Sequence, residues 1–151
     1  MKHVIHIFLS DWITDERTRK LYLVDGTVDT FKFDVIQQKC QNKWGFLPEP
    51  RNEHENKFLD SLGTEIFALG MRKNGSQWTW VSDGTAVGFT SWLNVNEQDG
   101  CAVMLRNKYN EFYWWRSDGW ASYPCLQLHT FENKKSLICQ HNRGMWMLST
   151  V

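Results

Sequence analysis

The chain has 151 residues, 42% of them hydrophobic, with a formal net charge of zero and a sequence pI of about 7.0. That is enough for one domain with a sizeable core. Without a basic run it excludes the long-range attraction that draws a protein to nucleic acid or acidic membranes, and no stretch reaches the roughly 20 apolar residues of a membrane span.

The N-terminus, Met1 to Leu9, carries a Lys and then apolar residues, but His6 interrupts the run and Asp11 follows with no small-residue cleavage site. It reads as a strand rather than a targeting segment. Lys20 to Val24 is strand-like, Asp25-Gly26 signals a turn, and Val28 to Phe33 reads as a second short strand. Asp34 is the expected N-cap of a helix from Val35 to about Lys43, with Ile36, Cys40 and Trp44 recurring every fourth residue and Gly45 as the stop. Pro48 and Pro50 mark a connection. Asn52 with Glu55 forms a capping box for a second helix, with Phe58, Leu59 and Leu62 facing inward and Gly63 ending it. Ile66 to Met71 reads as a buried strand, and Asn74-Gly75 turns it into Gln77 to Val81. Residues 84–100 read as loop. Cys101 to Leu105 is then expected to form a hairpin with Phe112 to Trp115, and Leu137 to Gln140 to be the last strand. Two early helices followed by strands and long loops indicate an α+β fold.

Four cysteines, Cys40, Cys101, Cys125 and Cys139, are an even number with no CxxC pair. This argues for two disulfides rather than a metal site, with three pairings open, and for an oxidising compartment. A secreted or extracellular protein follows, with its signal peptide removed, or the ectodomain of a longer membrane-anchored chain.

Taken together, these residues resemble the C-type lectin-like domain from about Leu21 to Gln140. Phe33, Ile36 and Cys40 match the family's first helix, and Gly45-Phe46-Leu47-Pro48 the stretch after it. Glu55 to Leu59 matches the second helix, and Phe67-Ala68-Leu69-Gly70-Met71 its Trp-Ile-Gly-Leu core strand. Trp78-Thr79-Trp80, Asp83-Gly84, Phe89 and Trp92 match the segment beyond. The resemblance implies the C-type lectin-like fold, two helices flanking antiparallel strands with long loops. It also implies the pairing Cys40–Cys139 and Cys101–Cys125. Residues 20–140 would be the domain. Residues 1–19 and 141–151 would be extensions, apolar enough to pair with each other on the domain or, alternatively, to form a homodimer interface.

Sugar-binding members of that family hold Ca²⁺ with a Glu-Pro-Asn or Gln-Pro-Asp triplet and with Trp-Asn-Asp before the third cysteine. Here the second register reads Trp120-Ala121-Ser122, so an amide and a carboxylate ligand are missing. The loop from Trp92 to Cys101 contains no proline, and Asn94-Val95-Asn96 is at most a degraded triplet, with Glu97 and Asp99 as remaining oxygen donors. Loss of calcium binding is the expectation, with no cofactor of any kind.

Enzyme chemistry is not indicated either. His3 and His6 face opposite sides of a strand, His54-Glu55 lacks the second histidine of a zinc hydrolase helix, and His129 and His141 sit in no ligand pattern. Neither a glycine-rich phosphate loop nor a nucleophile elbow is present.

The aromatic segment Phe112 to Trp120 offers a contact platform: strand alternation sends Trp114 and Trp115 to opposite faces, with Arg116 and Asp118 alongside. The expected function is calcium-independent recognition of an extracellular protein surface, or alternatively of a glycan. Candidate contacts are Trp92, Asn94, Asn96, Glu97 and Asp99 in the loop, and Trp114, Trp115, Arg116, Asp118 and Trp120 in the aromatic segment.

Overall fold

Apolar runs in this chain are continuous rather than alternating because its sheet is covered on both faces. The computed structural model describes residues 11–62, 66–94, 100–105, 119–126 and 135–142. Within them the strands are β1 (Ile13–Thr14), β2 (Lys20–Val28), β3 (Ile66–Asn74), β4 (Gln77–Trp80), β5 (Trp92–Asn94), β6 (Gly100–Leu105), β7 (Gly119–Pro124) and β8 (Lys135–Asn142). The helices are α1 (Phe33–Gln41) and α2 (Glu53–Ser61). Strand order is β1-β2-β8-β3-β6-β7-β5, with β4 paired to β3. Most pairs are antiparallel; β3–β8 and β5–β7 are parallel.

Period-2 alternation divides the apolar residues between two cores. Leu21, Leu23, Ile66, Ala68, Val103 and Leu137 pack with Phe33, Ile36 and Leu47 on the α1 side. Tyr22, Phe67, Leu69, Ala102, Met104, Trp120 and Ile138 pack with Leu59 on the α2 side, where Phe58 and Leu62 join them half-buried. The disulfides Cys40–Cys139 and Cys101–Cys125 tie α1 to β8 and β6 to the end of β7. These are the pairs the resemblance implied.

Several expected elements shift. Asp25-Gly26 does not end a strand: β2 runs on to Val28, its register with β8 shifts between Val24 and Thr27, and Gly26 takes the bulge at φ 75°. The expected strand from Val28 to Phe33 is replaced by an approach to α1, with Phe31 fully buried and its carbonyl accepting the Tyr123 hydroxyl at 2.7 Å. Helix α1 starts one residue before Asp34, which lies in its first turn, and Lys32 occupies the cap position without a side-chain bond. Its last turn closes through Trp44, left-handed at φ 67° and 48% exposed, so Trp44 leaves the stripe of Ile36 and Cys40. Only one half of the capping box of α2 forms as expected: Asn52 Oδ1 accepts from the Glu55 amide at 2.9 Å. The Glu55 carboxylate turns to the Arg51 amide, at 2.9 Å, and to the Lys20 ammonium.

The expected hairpin of Cys101–Leu105 with Phe112–Trp115 does not form. Both edges of β6 are occupied, by β3 (Phe67↔Met104 to Arg72↔Cys101) and by β7 (Cys101↔Tyr123 to Leu105↔Gly119). Residues 112–115 themselves lie outside the described residues, as do 1–10 and 143–151, on which the expected pairing of the two ends falls. Inside those limits Trp12 is buried against the α1-side core, β1 joins the edge of the sheet, and β8 continues to Asn142.

The segment carrying Pro48 and Pro50 crosses β3 at Gly70, whose amide donates to the Pro48 carbonyl at 2.7 Å. A Cβ at Gly70 would lie 2.5 Å from the Leu47 carbonyl oxygen and 3.1 Å from Glu49 Cγ. Backbone cannot swing aside as a side-chain tip can, so Gly70→Ala is expected to cost about 1–3 kcal/mol. A urea midpoint lowered without a change in m checks this; an unchanged midpoint would refute it. The same crossing buries Glu49, 1% exposed. Its carboxylate accepts from Arg51 at 2.8 Å, the Ser82 hydroxyl at 2.7 Å and the Ser82 amide at 2.9 Å, so the buried charge is paired and bonded. Arg51 continues to Asp83 at 3.0 Å. The Thr85 hydroxyl and amide, with Arg51, hold the Asp83 carboxyl down at about 2.

Candidate functional site: an aromatic face at β4 and β5

Strand β7 opens with Gly119-Trp120, and both residues are set by β5. A Cβ on Gly119 would meet Leu93 Cγ at 2.5 Å and the Ser91 carbonyl oxygen at 2.9 Å, so only glycine lets β5 lie this close. Trp120 donates its amide to the Ser91 carbonyl at 2.8 Å and its indole N–H to Asn56 Oδ1 of α2, also at 2.8 Å. Its indole has no exposed surface. Around it stand Trp92 at 5.4 Å, Phe89 at 5.8 Å and Trp80 at 6.4 Å between ring centroids, all near-perpendicular. This edge-to-face arrangement suits aromatic quadrupoles. Trp78 adds a tilted contact to Trp92 at 4.8 Å.

The outer members of this cluster, Trp78, Val87, Phe89 and Trp92, are half-buried. Phe89 and Trp92 rest on Trp120, and Trp78 rests on Trp92. A backbone bond from the Val87 amide to the Trp78 carbonyl at 3.0 Å and the Thr79–Ala86 bridge bring residues 86–93 alongside β4. The face is therefore built on paired strands and a rigid aromatic floor.

Trp92 was a candidate contact and lies on this face. Trp120 was a candidate too, but a fully buried indole touches no ligand; it is the floor beneath the face, and is corrected to a core residue. Asn94 is placed by its backbone beside Ala121. Asn96, Glu97, Asp99, Trp114, Trp115, Arg116 and Asp118 lie outside the described residues. Trp78, Val87 and Phe89 were missed as contacts. The sequence holds a signal for them: from Asn74 to Asn96 the only charged residue is Asp83, in a chain that is 23% charged. Charge depletion with aromatic enrichment marks the core of a protein interface.

On β7, Ala121 is 5% exposed and packs into the α1-side core, and Ser122 follows it, so these two positions offer no carboxylate. Among the described residues no three His, Cys, Asp or Glu side chains come together. One acid–imidazole pair is formed, away from the aromatic face: His54 Nε2 lies 2.8 Å from Oδ2 of Asp15. Burial alone would raise the Asp15 carboxyl, but bonds from His54, the Arg17 amide and Thr18 hold it below its ordinary value. The far nitrogen of His54 meets the Arg17 guanidinium at 3.3 Å, not a hydroxyl or thiol, so no nucleophile completes a triad. His141 is buried with Nδ1 2.5 Å from the Trp44 carbonyl, and that burial pushes its imidazole down to about 4. No helix among the described residues is long and apolar enough to cross a membrane.

The family model described as the lectin C-type domain matches residues 30–141. Among solved structures, the Ca²⁺-independent C-type lectin SPL-2 from Saxidomus purpuratus is similar at 19% identity, covering 89% of this chain and 93% of that one with a TM-score of 0.67. The C-type lectin domain of murine dendritic cell inhibitory receptor 2, in complex with N-glycan, is 19% identical over 88% and 97% with a TM-score of 0.65. A calcium-independent type II antifreeze protein is 21% identical over 88% and 92% with a TM-score of 0.63.

Proposed function

The chain belongs to the C-type lectin domain family, and from that premise we propose that it is an extracellular, non-catalytic recognition module that binds a protein surface without calcium. One observation carries the proposal: the half-buried aromatic face of Trp78, Phe89 and Trp92, braced from below by Trp120. Aromatic side chains held rigid in this way lose little entropy on binding and dominate interface hot spots. Two disulfides support an extracellular setting. The missing oxygen ligands at Ala121 and Ser122 support independence from calcium, and the Saxidomus purpuratus protein provides a calcium-independent lectin on the same fold.

Contacts made through aromatic rings predict salt-tolerant binding. Extracellular proteins that bind the immobilised oxidised domain in EGTA should be retained at high salt. Trp92→Ala should weaken them at least about tenfold, as loss of a hot-spot indole does. Binding lost at high salt, or unchanged by Trp92→Ala, would overturn the proposal. The pair of half-buried indoles, Trp78 and Trp92, favours a second reading, a calcium-independent glycan binder stacking sugar rings on them. Competition by a soluble monosaccharide separates the two.

A further inference from the structure

Of the chain's asparagines, only Asn74 is followed two residues on by serine or threonine: the stretch reads Asn74-Gly75-Ser76, with no proline between. That triplet is the acceptor signal for N-linked glycosylation, and it belongs on a surface turn of a chain that enters the secretory route. The structure puts it at the tip of the β3–β4 hairpin, where Asn74 pairs with Gln77. We propose that Asn74 is an N-glycosylation acceptor whose sugar hangs from the side of the hairpin opposite Trp78, so that the aromatic face stays open. The inference rests on the extracellular part of the proposed function, not on its choice of partner.

Access is complete. Asn74, Gly75, Ser76 and Gln77 are all exposed. Arg72 is the last β3 residue paired to β6, so the tip stands clear of the sheet. Gly75 takes φ 65°, the left-handed conformation that two-residue hairpin loops favour, and nothing lies within 4 Å of a Cβ built on it. The Asn74 carboxamide makes no hydrogen bond among the described residues, so attaching a sugar breaks none. Direction follows from strand pairing. Met71, Trp78 and Trp80 pack on the α2-side core. Cross-strand partners share a face, and neighbours along a strand take opposite ones. Lys73 therefore sides with its partner Trp78, and Asn74 takes the other side with Gln77. On that side the Arg72 guanidinium lies 5.1 Å from the ring of Phe33, in the α1-side core. Transfer is redox-neutral. Asn74 Nδ2 bonds to the anomeric carbon of a lipid pyrophosphate-linked oligosaccharide, the carbon–oxygen bond to the pyrophosphate breaks, the lipid pyrophosphate leaves, and Nδ2 gives up one proton.

The full chain, secreted from mammalian cells behind a cleavable leader, should carry one N-linked glycan on Asn74, read as an intact glycopeptide by mass spectrometry. Peptide N-glycosidase in heavy-oxygen water should remove it and leave a labelled aspartate at that position. Asn74→Gln and Ser76→Ala should each abolish the glycan, while Ser76→Thr, which keeps the hydroxyl, should retain it. Hydroxyl-radical footprinting should label Trp78 and Trp92 equally before and after the sugar is removed. A secreted, disulfide-bonded chain with Asn74 bare, unlabelled aspartate there from spontaneous deamidation in place of sugar, or a glycan that survives Ser76→Ala would overturn the acceptor assignment. Labelling of Trp78 that rises when the sugar is removed would overturn its orientation. A glycosylated chain whose four cysteines stay as free thiols would count against the extracellular reading and leave the acceptor standing.

Discussion

Replacing Cys40 and Cys139 together by alanine is expected to remove roughly 4–5 kcal/mol of stability, and to leave little folded protein at 37 °C. The bridge spans 99 residues, against 24 for Cys101–Cys125. On the chain-entropy view, closing the longer loop restricts the unfolded chain more, so the corresponding figure for the inner bridge is roughly 3–4 kcal/mol. All four sulfurs sit in the α1-side core, so alanine also removes packing there. Denaturant unfolding of the two double variants checks the order. A smaller loss at the outer bridge would mean that α1 and β8 hold together through their apolar contacts alone.

Trp120→Ala is expected to cost about 3–5 kcal/mol, the range for truncating a buried large aromatic. The indole is fully buried and stands between Trp92, Phe89 and Trp80, so its loss empties the floor of the proposed face. Trp120→Phe keeps most of that volume but leaves the Asn56 carbonyl without its donor, for a smaller loss of about 1–3 kcal/mol. Urea unfolding measures both losses, and near-ultraviolet circular dichroism reports whether Trp78 and Trp92 keep their fixed environment. A Trp120→Ala variant as stable as the parent would place this indole at the surface after all.

Where a signal is local, the sequence carried it. Asn52 and Glu55 mark the start of α2 because a cap is made within four residues, and Asn74-Gly75 marks the β3–β4 hairpin because the left-handed turn is its own requirement. Asp25-Gly26 misleads for the opposite reason. It is a turn dipeptide by composition, but β8 pairs with β2 on both sides of it and turns it into a bulge. The partner of β6 was misassigned because strand pairing is decided across the sheet: β3 and β7 fill both its edges, which proximity along the chain does not reveal. Strand β5 is three residues long and gains its identity only from lying parallel to β7.

For the site, residue type identified aromatic contacts but not depth. Alternation separates the two faces of a strand, yet both faces of this sheet are buried, so Trp120 and Trp92 could be told apart only by what packs over them. The run from Asn74 to Asn96, with Asp83 its only charged residue, was the better guide to the exposed face, since a folded surface keeps charges wherever nothing selects against them.

Calorimetric titration of Ca²⁺ into the oxidised domain, paired with thermal unfolding in Ca²⁺ and in EGTA, tests the central claim most directly. A domain that recognises its ligand without calcium shows no saturable heat and the same unfolding temperature in both. Saturable binding with a raised unfolding temperature would contradict it, and would assign a metal site to oxygen donors among Asn94, Asn96, Glu97 and Asp99.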